Sequence, residues 1–146
     1  MKVKFLVLGV AGMLAIAAAA SAARLDVVYG TAGADTLAGT TGADVIYARA
    51  GSDTVRAHAG NDVVYGGAGN DVMWPGAGVD VQYGGKGNDV LHALANDNQP
   101  DILDCGPGFD TAIVIAHDPA RFRGCEQIVR LSPEEAASLA ASGGDS

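Results

Sequence analysis

Positive charge, aromatic rings and cysteine are all scarce in this 146-residue chain: 9 Lys and Arg face 17 Asp and Glu, aromatic residues make up 5 %, and there are 2 cysteines. So acidic a surface repels nucleic acid and anionic lipid heads and attracts cations. The three histidines, His58, His92 and His117, are scattered, and no H-E-x-x-H or nucleophile elbow is present, so turn or surface positions are expected for them and no enzymatic activity. No Lys-Ser/Thr follows the glycine-rich stretches, which excludes a phosphate-cradling loop. Long apolar runs are missing too, apart from residues 5–20. That run follows Lys2 and Lys4 and precedes Ala20-Ser21-Ala22, the pattern of a secretory signal peptide over 1–23 rather than of a membrane span. A secreted, extracellular protein is expected, with no membrane span in the mature chain. Beyond the leader, 7 basic and 17 acidic residues remain, a formal charge of −10.

Against these absences stands a repeat. Written in nines from Gly30, the chain reads GTAGADTLA, GTTGADVIY, ARAGSDTVR, AHAGNDVVY, GGAGNDVMW, PGAGVDVQY, GGKGNDVLH. The fourth position is always glycine: Gly33, Gly42, Gly51, Gly60, Gly69, Gly78 and Gly87. The sixth is always aspartate: Asp35, Asp44, Asp53, Asp62, Asp71, Asp80 and Asp89. The eighth is apolar except at Gln82, where a polar group in the core is costly unless it finds a partner. The Gly- and Asp-bearing half of each repeat forms a tight turn, and the β-prone remainder a brief strand with its eighth residue inward. Strands so short must stack on their neighbours to bury a core. Tyr29, Tyr47, Tyr65 and Tyr83 recur every 18 residues, which sets two repeats per coil and one tyrosine ladder at a strand spacing of about 4.8 Å. The matching column of the other sheet, Ala38, Arg56, Trp74 and His92, shares no character. The expected fold is all-β: a parallel β-roll of two facing sheets.

The pattern resembles the RTX, or hemolysin-type, calcium-binding repeat family, whose motif is G-G-x-G-x-D-x-U-x. Residues 66–74 and 84–92 match it at every defined position, whereas Ala48-Arg49, Ala57-His58 and Pro75 depart at the paired glycines, where weaker binding or distortion is expected. Two repeats per coil put Asp35, Asp53, Asp71 and Asp89 on one edge and Asp44, Asp62 and Asp80 on the other. Carboxylates about 5 Å apart repel unless a cation lies between them. Carboxylate and glycine carbonyl oxygens at flexible distances suit Ca2+ better than Mg2+, and no Cys/His set suits zinc. The resemblance implies that the seven aspartates, with carbonyls near the seven glycines, hold each ion between successive turns, giving about five ions. Ion binding is then expected to supply folding free energy to a chain that repels itself open.

The roll is expected to span 24–104, followed by a capping segment at 105–131 and a short helix or disordered tail at 132–146. Gly108 and Asp110 echo the motif, with Ile113 placed where the apolar residue belongs, and Asp101, Asp104 and Asp110 are further candidate ligands. Cys105 and Cys125, an even pair in an exported chain, are expected to form a disulfide. The segment holding them resembles the closing segment of short secreted RTX-type proteins. Ser132-Pro133-Glu134-Glu135 reads as a capping box. The tyrosine ladder leaves open a second role, a carbohydrate- or surface-binding adhesive module with a glycan or cell-surface partner. Ring stacking that stabilises the sheet is the plainer account.

Overall fold

The computed structural model describes residues 25–142, so the signal-peptide reading of 1–23 and the last residues, 143–146, lie outside the described residues. Strands β1 (Asp26–Tyr29), β3 (Asp44–Ala50), β5 (Val63–Ala68), β7 (Val81–Lys86), β9 (Ile102–Asp104) and β11 (Arg121–Arg123) form one sheet in that order. Strands β2 (Thr36–Ala38), β4 (Thr54–Arg56), β6 (Val72–Trp74), β8 (Val90–Ala93), β10 (Thr111–Ile115) and β12 (Gln127–Leu131) form the other. Every neighbouring pair is parallel, and register advances by 18 residues through the repeats: Tyr29 lies beside Tyr47, Tyr47 beside Tyr65 and Tyr65 beside Tyr83. The chain is therefore a parallel β-roll of two repeats per coil.

Burial follows the repeat. The eighth positions Leu37, Ile46, Val55, Val64, Met73 and Leu91 fill the interior. The sixth-position aspartates and the first-position Ala48 and Ala57 are buried beside them, so three alternate residues of each repeat point inward. Gln82 is buried as well and finds half a partner: its Nε2 donates to the His92 carbonyl at 2.7 Å, while its Oε1 has none. The tyrosine rings stack at 5.3, 4.8 and 4.9 Å between centroids, and the Arg49 guanidinium lies over Tyr29. The facing column has more character than expected. His92 is not a surface or turn residue; it is buried, stacks on Trp74 at 3.5 Å between centroids, and donates from Nδ1 to the Met73 carbonyl. Burial lowers its pKa to about 4. His58 and His117 are exposed.

The winding does not stop near Asp104. The loop at 94–101 lengthens one coil by three residues, a step of 21 instead of 18, so that Val81 pairs with Ile102 and Val90 with Thr111, and the roll then resumes through β9 to β12. In β10 the inward residue aligned with Leu91 is Ala112, two places after Asp110, and not Ile113, which aligns with His92. Cys105 and Cys125 form a disulfide that joins the chain just after β9 to the chain just after β11. At a separation of 20 residues, closing that loop stabilises the fold by about 3 kcal/mol. Helix α1 (Pro133–Ser142) packs on β10 and β12 with Ala136 buried. Both halves of its capping box are made, Glu135 N–H to Ser132 Oγ and Ser132 N–H to Glu135 Oε2. Among the described residues no helix is long and apolar enough to cross a membrane.

Candidate metal centres along the turns

Each turn must present its aspartate to the next coil, and the backbone conformation makes this possible. The second and fourth positions of the inner turns lie at positive φ, as at Gly67 (110°) and Gly69 (130°). A Cβ at Gly69 would collide with the Gly51 carbonyl of the coil before it, so glycine lets the coils close on one another. Arg49 (81°) and His58 (78°) adopt the same left-handed conformation without glycine's freedom. The degenerate turns thus keep the shape of the others and carry strain of about 1–2 kcal/mol per residue.

The aspartates form two continuous ladders. On one edge the amide of Asp35 donates to Asp53 Oδ1 (2.7 Å), Asp53 to Asp71 (2.8 Å), Asp71 to Asp89 (2.9 Å) and Asp89 to Asp110 (2.7 Å). On the other edge Asp44 donates to Asp62, Asp62 to Asp80 and Asp80 to Asp101. Asp101 and Asp110 therefore join the ladders, although their coil spacing is 21 residues rather than 18. Asp104 stands apart at the end of β9, beside Tyr83 and paired with Arg123 at 3.0 Å.

The second carboxylate oxygens divide the ladder into two classes. In the first coil, Asp35 Oδ2 accepts from the amide and hydroxyl of Thr31, and Asp44 Oδ2 from those of Thr40. Farther along, Oδ2 of Asp53, Asp62, Asp71, Asp80, Asp89 and Asp110 is buried without a hydrogen-bond partner. An unsatisfied buried polar atom costs about 1–3 kcal/mol, and more when charged. Burial accordingly pushes the pKa of Asp53, Asp80 and Asp89 up to about 6 and that of Asp62 and Asp101 to about 7, against the lowering effect of the amide bond. Burial also raises Asp71 and Asp110, and it raises Asp44 against the opposing Thr40 hydrogen bonds.

A divalent cation fits this arrangement chemically. The Cβ position at Gly66 lies 2.5 Å from the Gly84 carbonyl oxygen and 2.6 Å from Asp71 Oδ2, so glycine leaves a space bounded by a carboxylate and a carbonyl of the next coil. Among the described residues no three His, Cys, Asp or Glu side chains gather around one point. A cation here would complete its shell with backbone carbonyls and water, the habit of a hard, oxygen-seeking ion. Gly33, Gly42, Gly51, Gly60, Gly69, Gly78 and Gly87 all lie in the turns, with the carbonyls of Gly33, Gly42, Gly51, Gly60 and Gly69 facing the matching glycine of the next coil.

Four contributors were not assigned a role from the sequence. Thr31 and Thr40 are one pair, and their signal was shared occupancy of the second position. A fifth-position ladder runs in the opposite sense: Asn88 N–H donates to Asn70 Oδ1 and Val79 N–H to Asn61 Oδ1. Its signal was the recurrence of Asn at that position. Asp97, in the inserted loop, accepts the Gly78 amide at 2.8 Å, whereas the equivalent Gly60 and Gly69 donate to a carbonyl of the next coil. Glu126 Oε2 accepts the Asp110 amide at 2.9 Å and so takes the aspartate's place at the end of one ladder. No periodicity marked either of these last two.

A family model for the RTX calcium-binding nonapeptide repeat matches residues 29–63, 50–82 and 83–99. No curated protein matches the chain. The motif, the two-repeat coil and the paired aspartate ladders agree with that match, and through residues 29–99 the chain belongs to the RTX calcium-binding nonapeptide repeat family.

Proposed function

We propose that this is a secreted calcium-binding β-roll that folds as it takes up several calcium ions between its coils. The observation that carries the reading is the row of six buried carboxylate oxygens without hydrogen-bond partners. Carboxylates so placed oppose stacking when ionised, and a divalent cation between turns turns that repulsion into attraction. The ligands are the repeat aspartates Asp35, Asp44, Asp53, Asp62, Asp71, Asp80 and Asp89 with carbonyls of the glycine turns, for about five ions in the repeat array. Threonine already occupies Oδ2 of Asp35 and Asp44, which makes the N-terminal gaps the weakest. The gap between Asp71 and Asp89 is the strongest, because both turns carry the complete glycine pair. The leader-like residues 1–23 and the usual extracellular setting of RTX repeats support export, where millimolar calcium suits weak sites.

The tyrosine ladder favours packing over glycan recognition: the rings stack on one another, and Tyr29, Tyr47 and Tyr65 are half-buried. Far-UV circular dichroism of residues 24–146 during calcium titration tests the main reading, with magnesium as control. A coil-like spectrum in chelator that becomes β-rich with calcium is expected. A spectrum that is β-rich in chelator and unmoved by calcium overturns the folding switch.

A further inference from the structure

The ladder of buried carboxylates outruns the recognised repeats. The family match ends at residue 99, yet Asp110 is fully buried, its Oδ1 accepts the Asp89 amide at 2.7 Å, and its Oδ2 has no partner. Asp89 Oδ2 is likewise buried and unpartnered. The turn that carries Asp110, Cys105-Gly106-Pro107-Gly108-Phe109-Asp110, is a repeat turn with cysteine in the first glycine position. Gly106 has φ 96°, close to the 105° of Gly85 in the turn before it. The space beside Gly84 is bounded by Asp89 Oδ2 and the Cys105 carbonyl, just as the space beside Gly66 is bounded by Asp71 Oδ2 and the Gly84 carbonyl.

We propose that the turns 84–89 and 105–110 enclose one further calcium site, with Asp89, Asp110 and the Cys105 carbonyl as ligands. The proposal rests on the calcium reading of the repeats and extends it to a turn that the motif does not cover. The site has its own positioning devices. Glu126 holds the Asp110 amide, and the disulfide to the adjacent Cys125 secures Cys105, whose amide donates to the Arg123 carbonyl at 2.9 Å. The coil that carries Asp110 has no complete repeat after it to hold the turn in place, and the disulfide and the Glu126 hydrogen bond do so instead.

Equilibrium dialysis of residues 24–146 against calcium chloride counts the ions bound at saturation. Asp110→Asn and Gly84→Ala are each expected to bind one ion fewer than the parent, or to bind it at least tenfold more weakly. Asp104→Asn, in the same segment but paired outward with Arg123, is expected to leave the count unchanged. Gly84→Ala guards against simple misfolding, since Ala48 and Ala57 already occupy that position in other turns and circular dichroism reports whether the roll still forms. A parent that binds calcium and an unchanged count in both site variants overturn this site and leave the repeat reading intact. A parent that binds no calcium overturns both.

Discussion

In the first coil, Asp35 and Asp44 each receive an amide and a hydroxyl hydrogen bond from a threonine four residues earlier. In the coils stacked on it, the same carboxylate oxygen is buried at Asp53, Asp62, Asp71, Asp80, Asp89 and Asp110 and receives nothing. Register and ladder bonds are shared, whereas Thr31, Gly33, Thr40 and Gly42 lack the positive φ found at these positions in the turns that follow, so carboxylate satisfaction and turn conformation change together. Where threonine stands at the second position, the protein does the work from within. Where glycine, arginine or histidine stands there, an outside partner must do it, either a proton or a cation. On the proposed reading, the first coil is the one that needs a cation least.

The largest effect expected from this contrast is an asymmetry between Asp71→Asn and Asp44→Asn. Removing the charge at Asp71 should raise the calcium concentration needed for folding by roughly tenfold or more, while leaving the calcium-free chain no less ordered. The change at Asp44 should shift that concentration less and cost about 1–2 kcal/mol in the calcium-loaded roll, because it disturbs the Thr40 bonds. Paired calcium titrations and denaturant melts measure both quantities. Equal behaviour of the two variants would erase the distinction between the coils.

An intermediate effect is expected from pH. The pKa values of Asp53, Asp62, Asp80, Asp89 and Asp101 rise from 3.8 to about 6 or 7 through burial, so the folded, metal-free roll holds protons that the unfolded chain has released. Stability from these groups is whole below about pH 4 and is lost as pH climbs through the folded values near 6 to 7. In chelator, β structure present at pH 5 should therefore be lost by pH 7.5, and the affinity for calcium should rise over the same interval as it displaces those protons. β structure in chelator that grows as pH rises would contradict the assignment of burial as the dominant cause.

The smallest effect belongs to the threonines. Thr31→Val and Thr40→Val should each cost about 1 kcal/mol in chelator at pH 5, where protonated carboxylates favour the metal-free roll, and make the first coil newly responsive to calcium. Hydrogen-exchange protection of β1 and β2 at that pH, compared with and without calcium, reads this directly. Protection that stays calcium-independent in both variants would show that the hydroxyls merely accompany the turn.

Much of this molecule is written in one dimension. A nine-residue period with glycine and aspartate at fixed places leaves one economical way to bury the eighth residue, and the 18-residue spacing of Tyr29, Tyr47, Tyr65 and Tyr83 sets the coil, because identical rings stack at the strand spacing. Departures from the period were harder to read. His92 looks like an outward residue by count, and only the meeting of Trp74, Met73 and Gln82 around it explains its burial. The end of the roll was legible as an echo of the motif and as a pair of cysteines. That Asp101 and Asp110 continue the two ladders depended on the loop between β8 and β9 absorbing the extra length, a matter of chain path that composition does not carry.

Local chemistry thus settles from residue order alone: turns where glycine and aspartate recur, strands where β-prone residues follow, and a cation preference where carboxylates must stack. Which of those carboxylates is left wanting a partner was decided in three dimensions. It depends on what lies four residues back and one coil away at the same moment, Thr40 beside Asp44 in one place and the Cys105 carbonyl near Asp89 in another. A buried charge responds to everything within a few ångströms, and residue order specifies only the neighbours along the chain.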